Sequence, residues 1–221
     1  MELFKNYDKL ELDVSLGSPR PDKVAVLDMD DCLGSMAINI IEEVNKRYGT
    51  SRTIDSLAKY QALHLLIPES VDDRETAMRN LLDEVGCFDL FKWYPKVGEF
   101  IGRVRDGSID GVPVQVALIT SRGYFWKSAV SDTMRHLLQL AVDIDHIHVI
   151  DYSACKVEHA IGAFGSNLHY IVEDNPSTLK RAYDRGVTTF KVEMPYNEDV
   201  VSSGLACAQR NVLRLINTEG Q

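Results

Sequence analysis

Four short segments of the chain carry residue types that could do chemistry together. Asp28-Met29-Asp30-Asp31-Cys32-Leu33 is rich in carboxylates, and Thr120-Ser121-Arg122-Gly123 offers hydroxyls and a guanidinium. Lys156 offers an ammonium, and Glu173-Asp174-Asn175-Pro176 supplies a second acidic pair. Carboxylates gathered at one point repel one another and need a cation between them. Hard oxygen donors, few in number and with open positions left over, suit Mg²⁺. A phosphate held at such a cation exposes its phosphorus to attack by a carboxylate, which would form an aspartyl-phosphate. A hydroxyl and an ammonium would hold the phosphate oxygens as charge builds. A second acid two residues along could protonate the leaving alkoxide and later activate water. That acid must start protonated, a state favoured by another carboxylate and an incoming dianion.

These segments can meet only if the elements before them end at one edge. Val24-Ala-Val-Leu27 is a continuous apolar run, as in a strand buried on both faces. Further strands are predicted over Val112–Ile119, His146–Ile150, His169–Val172 and Val187–Val192. Helices are predicted over Pro95–Val104, Lys127–Leu140, Lys156–Phe164, Ser177–Arg185 and Val200–Ile216. Strands alternating with helices imply a parallel sheet covered on both faces, a Rossmann-like three-layer α/β core. Ligands in such sheets sit beyond the carboxyl ends of the strands, where all four segments fall.

Between the first two strands the pattern is helical. Ile38, Ile41 and Val44 recur at helical spacing before Gly49, a helix is expected over Asp55–Ile67 up to Pro68, and Ser70 or Asp72 could cap another running to Gly86. This block reads as a small helical cap over 36–92, inserted after the first strand of a core formed by 1–35 and 93–221. The first twenty residues read as an arm or edge element.

Composition narrows the function. The chain has 221 residues, with 24 Lys and Arg against 33 Asp and Glu, so its net charge is −9. That balance disfavours an extended nucleic-acid surface. With 45% hydrophobic and 26% charged residues, the chain has the composition of a globular domain. No apolar run approaches a membrane span, and no secretory leader is apparent, so a cytoplasmic location is expected. The cysteines Cys32, Cys87, Cys155 and Cys207 lie far apart and form no Cys-x-x-Cys pair. A cysteine zinc site is therefore not expected, and reduced thiols are.

The four segments, in order, resemble the motifs of the haloacid dehalogenase (HAD) superfamily of phosphohydrolases over roughly residues 22–195. Asp28-Met29-Asp30 after a hydrophobic strand is similar to the first motif, with Cys32 where Thr or Val is usual. Leu118-Ile119-Thr120 resembles the second motif and Lys156 the third. Ile171-Val172-Glu173-Asp174 resembles the fourth, with Glu173 in place of the commoner Asp. The resemblance implies Asp28 as nucleophile and Mg²⁺ ligand, and Asp30 as general acid/base whose backbone carbonyl also binds Mg²⁺. It implies Thr120, with Ser121 as alternative, and Lys156 as phosphate ligands. Glu173 and Asp174 complete the metal site, with Asp174 favoured as the direct ligand. An acid at position 30 favours phosphate ester hydrolysis over dehalogenation. The helical insert, Thr120-Ser121 and Met194-Pro195-Tyr196-Asn197 also resemble 5′(3′)-deoxyribonucleotidases. That implies a small phosphorylated substrate, a nucleotide first and a sugar phosphate or other metabolite second.

Other residues have plainer readings. Arg122 and Lys127 could hold an anionic substrate or form a solvent-facing pair at a helix start. His146 and His148 read as structural, Trp93 and Tyr94 as core packing rather than cap hinge, and Asp31 as a turn residue. Trp126 could stack a base. A phosphoacceptor signalling domain would need its phosphorylated Asp on a middle strand, before the Thr and Lys and after the acid pair. Here the acid pair follows the lysine. A catalytically inactive binding module is the remaining alternative, opposed by the complete acid, hydroxyl and lysine set.

Overall fold

The computed structural model describes residues 21–60, 62–123, 129–140 and 144–200. The expected N-terminal arm, Trp126, Lys127, Cys207 and the closing helix beyond Val200 lie outside the described residues.

Strand β1, Val24–Leu27, is buried at every position. Its parallel neighbours are β4, Gln115–Gly123, on one side and β6, Leu168–Glu173, on the other. Strand β5, His146–Asp151, adds outside β4, and β7, Thr189–Lys191, adds outside β6. The sheet order is thus β5-β4-β1-β6-β7. The sequence-predicted parallel sheet is observed.

Alternation along the strands builds two cores. Ala25, Leu27, Val116, Leu118, Tyr170 and Val172 pack with α3, Val97–Arg105, and Leu137 of α4, Ala129–Leu137. Val24, Val26, Ala117, Ile119 and Ile171 face the other way. They pack on Val157 and Ala160 of α5, Lys156–Phe164, and Ala182 of α6, Pro176–Asp184. Three layers result, and each fully buried aliphatic side chain contributes about 1.5–3 kcal/mol.

The segment between β1 and β4 leaves and returns side by side. Strand β2, Gly34–Ser35, pairs antiparallel with β3, Lys92–Trp93, through Gly34↔Trp93 and Ser35↔Lys92. Sequence reasoning expected no strand at these junctions. Gly34 is required there: a Cβ would stand 2.3 Å from the Phe91 ring and 2.6 Å from the Lys92 carbonyl oxygen. Helix α1, Ala37–Tyr48, begins where the Asp31 carboxylate accepts from the backbone N–H groups of Met36 and Ala37. It ends at Gly49 in the left-handed region. Helix α2, Arg74–Val85, is capped by Asp73, not Ser70 or Asp72, through a 3.0 Å bond from the Thr76 N–H.

Two expectations fail for physical reasons. No helix spans Asp55–Ile67: short 3₁₀ turns occupy Ile54–Ser56 and Leu63–Leu66. Leu57, Leu66 and Ile67 are buried by these turns, so core burial here does not require helical periodicity. Strand β4 starts later and runs further than Val112–Ile119. Pro113 has no N–H to give, and the Val114 N–H bonds the Arg105 carbonyl at the end of α3. At the other end, Thr120 still pairs with Val149 and Gly123 with Asp151.

Candidate active site

The sheet register delivers the acids to one edge. Leu27 pairs with Leu118 on one side and Val172 on the other. Asp28 therefore leaves β1 level with the ends of β4 and β6, and its N–H donates to the Val172 carbonyl at 3.0 Å. Asp28, Thr120, Lys156, Glu173 and Asp174 are all buried.

Lys156, first residue of α5, bridges two carboxylates. Its Nζ lies 2.7 Å from Asp28 Oδ1 and 2.6 Å from Glu173 Oε2. Burial alone would discharge this lysine; Asp28 and Glu173 outweigh that and raise its pKa. The other Glu173 oxygen accepts from the backbone N–H groups of Asp174 and Asn175. Both Glu173 oxygens thus have partners in the protein.

Asp174 has different partners. Cys32 Sγ donates to its Oδ1 at 3.6 Å, and the Tyr196 hydroxyl donates to its Oδ2. Asn197 fixes the backbone by donating to the Asp174 carbonyl at 2.6 Å. Both donors to the carboxylate are neutral side chains. Burial holds the Cys32 thiol well above its usual range, which keeps it protonated, and burial does the same to the Tyr196 phenol. Tyr60, from the helical segment, packs edge-on against Tyr196 with ring centroids 5.3 Å apart.

The cluster is short of positive charge. Burial, then the Glu173 charge, pushes Asp28 up to about 8 despite the opposing pull of Lys156. Burial likewise raises Glu173, and raises Asp174 with help from Asp28 and Asp31. Ligand atoms of Asp28, Cys32, Glu173 and Asp174 all lie within 4.8 Å of one another. A hard divalent cation fits this donor set. Asp28 keeps one carboxylate oxygen outside the Lys156 contact, and the Asp174 oxygens accept from the neutral Cys32 and Tyr196 side chains. A protonated, soft thiol fits such a cation poorly, which leaves Cys32 as a partner of Asp174.

Thr120 is fully buried, and its Oγ1 has no hydrogen-bond partner. A buried hydroxyl without a partner is costly and marks a place where a ligand oxygen would be welcome. Ser121, the alternative from sequence, is half-buried on β4.

Asp30 stands apart from that cluster. Both of its oxygens accept from Arg122: Nε donates to Oδ2 at 2.7 Å, and Nη2 donates to Oδ1. Of the readings weighed for Arg122, the solvent-facing one is overturned, because the side chain is only 1% exposed. Its guanidinium lies 4.6 Å from the Phe88 ring centroid and 4.8 Å from that of Phe91. No sequence signal marks Arg122: it lies where the register of β4 against β5 shifts, between Thr120 and Gly123, so alternation along the strand does not place it. Tyr60 also escaped the sequence reading, since an isolated tyrosine in a helical segment carries no spacing signal.

Other side chains have structural partners. Asp31 sits at φ 57° and caps α1, as a turn residue would. His146 Nε2 lies 2.9 Å from Gln115 Oε1, and His148 Nδ1 lies 2.9 Å from His159 Nε2. Trp93 is on the junction strand β3, its indole N–H donating to the His136 carbonyl. Cys32, Cys87 and Cys155 are free thiols. Among the described residues, no helix is long and apolar enough to cross a membrane.

No protein-family model matches the chain, and no curated protein matches its sequence. Solved structures do share its fold. A haloacid dehalogenase-like family hydrolase from Streptococcus pneumoniae superposes with a TM-score of 0.55 at 11% identity, covering 86% of this chain and 90% of its own. A protein described as a phosphoglycolate phosphatase from Lactobacillus delbrueckii subsp. bulgaricus gives 0.53 at 13% identity, covering 89% and 99%. A HAD family hydrolase from Deinococcus radiodurans, solved with bound phosphate and sodium, gives 0.50 at 14% identity, covering 88% and 89%. The chain therefore has the HAD-like α/β fold.

Proposed function

We propose that the protein is a Mg²⁺-dependent phosphate monoester hydrolase that works through an aspartyl-phosphate on Asp28. The observation that carries this reading is the Asp28–Lys156–Glu173 bridge, set on the same sheet edge as the unpartnered hydroxyl of buried Thr120. Asp28 and Asp174 are the residues that would hold Mg²⁺, with the Asp30 backbone carbonyl; Glu173 supports the site through Lys156. When bound, the cation neutralises the clustered carboxylates and the phosphate charge.

The chain's own groups do the rest. Thr120 and Lys156 hold phosphate oxygens, with Ser121 at the margin. The Asp28 carboxylate attacks phosphorus as the bond to the leaving oxygen breaks, and Asp30 gives that oxygen a proton. In the second half, water attacks the same phosphorus, Asp30 takes its proton, and the bond to Asp28 breaks. Segment 36–92 acts as a cap that excludes water and reads the part of the substrate beyond phosphate.

A nucleotide is the favoured substrate, because Tyr60 and Tyr196 place aromatic surface beside the acids, where a flat base could stack. A small phosphorylated metabolite is the second reading, supported by the phosphoglycolate phosphatase named among the structures of like fold. The test is phosphate release from a panel of nucleotides, sugar phosphates, phosphoglycolate and an aryl phosphate. Turnover is expected with Mg²⁺ and not after chelation. Full activity after exhaustive chelation overturns the metal site.

A further inference from the structure

The group assigned to proton transfer is not free to move by itself. Arg122 occupies both Asp30 oxygens in a fork, the geometry in which guanidinium fixes a carboxylate most firmly. Arg122 is itself fixed. Its guanidinium carbon lies over the Phe88 and Phe91 rings, and Nη1 donates to Thr133 Oγ1 of α4 at 3.4 Å. Phe88 belongs to the turn Cys87–Leu90 that closes the helical segment, and His136 of α4 holds its carbonyl at 2.7 Å. Phe91 directly precedes the junction strand β3. A continuous set of contacts thus runs from the end of segment 36–92, through Arg122, to the Asp30 carboxylate.

Resting on the phosphatase reading above, we propose that Arg122 is the positioning residue for Asp30, holding its carboxylate in register with the helical segment's Phe88 and Phe91. The fork takes both oxygens as acceptors. An oxygen that accepts from the guanidinium carries no proton, so Asp30 gives up one of these bonds and takes a proton from solvent before it can pass one to a leaving oxygen. In the second half-reaction it needs only an oxygen turned to water, and the fork sets that orientation.

The consequence is specific to proton transfer. An alkyl phosphate, whose leaving group is poor, depends on Asp30 in the first half-reaction. An activated aryl phosphate does not, but its aspartyl-phosphate still needs Asp30 to activate water. General acid–base groups contribute on the order of 10²–10⁴ in rate, so misplacing one should cost about tenfold or more. Arg122→Gln and Arg122→Lys are compared with the unaltered full-length chain on p-nitrophenyl phosphate and on an alkyl phosphate. Lys keeps the positive charge but cannot fork; circular dichroism checks the fold of each variant. The ratio of kcat/KM for alkyl over aryl substrate should fall about tenfold in both variants. On the aryl substrate, kcat should fall more than kcat/KM, with phosphorylated Asp28 accumulating.

In an Asp30→Asn background, the same Arg122 substitutions should add nothing. Equal losses in both parameters on both substrates overturn the inference, as does a wild-type ratio in Arg122→Lys. A full Arg122 effect persisting without Asp30 also overturns it. If the unaltered chain turns over no phosphate ester, the phosphatase reading fails. Wild-type turnover with an unchanged ratio in the variants defeats the positioning role alone.

Discussion

The Lys156 ammonium stands 2.7 Å from the Asp28 carboxylate at the carboxyl edge of the sheet, and both side chains are buried. The ends of two separate elements bring these residues together. Asp28 is there because β1 ends at Leu27, and Lys156 because α5 begins immediately after the turn from β5. The same ammonium reaches Glu173, so one cation joins three elements.

Removing that cation should therefore damage stability and activity together. Lys156→Met leaves Asp28 and Glu173 buried without their partner, a change that costs about 3–5 kcal/mol in comparable pairs. Denaturant unfolding should show a loss of that order in the metal-free protein, and phosphate release should fall about a hundredfold or more. Unchanged stability would mean that the two acids find other partners.

The stability of the metal-free protein should depend on pH with a definite sign. Burial and Glu173 hold Asp28 at about 8, against 3.8 for an ordinary Asp side chain. Between those values the folded form keeps a proton that the unfolded chain releases, so this contribution is present in acid and lost as pH rises toward about 8. In EDTA the melting temperature should fall from mild acid to mild alkali. Saturating Mg²⁺ should flatten the slope, because it favours the ionised carboxylate. A melting temperature that rises across this window, or a slope indifferent to Mg²⁺, contradicts the charge balance described for the site.

Tyr196 tests which acid meets the metal. Its hydroxyl orients Asp174, whereas Glu173 is held by Lys156 and backbone N–H groups. Tyr196→Phe should weaken Mg²⁺ binding about tenfold, as loss of an outer partner commonly does. Calorimetric titration of the metal alone measures this. Unaltered affinity would move the direct contact away from Asp174.

The junction is equally exposed to test. Gly34→Ala forces a methyl group into Phe91 and the Lys92 carbonyl. Overpacking of this kind costs about 1–3 kcal/mol. The variant should melt at lower temperature, and it should lose relative activity on large substrates if the β2–β3 pair sets the position of segment 36–92. A stability equal to the wild type would show that Phe91 moves aside freely.

The sheet was legible because Val24–Leu27 and its neighbours are short apolar runs buried on both faces, a pattern few other elements share. The acids were legible because they follow those runs directly. Lys156, Thr120 and the Glu173-Asp174 pair could be placed at one edge from topology alone. What stayed hidden depends on tertiary pairing. Arg122 follows a predicted strand end, and only the extra pairing of β4 with β5 carries the strand through it. Two-residue strands such as Gly34–Ser35 and Lys92–Trp93 are too short to show alternation. The turns at Ile54–Ser56 and Leu63–Leu66 bury apolar side chains at spacings that mimic a helix.

In the proposed mechanism Asp28 carries the phosphoryl group and Asp30 moves the proton. Rapid quench of the Asp30→Asn variant with an activated aryl phosphate and Mg²⁺, followed by peptide mass spectrometry, tests it most directly. The predicted result is one phosphoryl group on the peptide containing Asp28, absent from Asp28→Asn, which should also be inactive. Wild-type turnover by Asp28→Asn, or a phosphoryl group found on another residue, would contradict it.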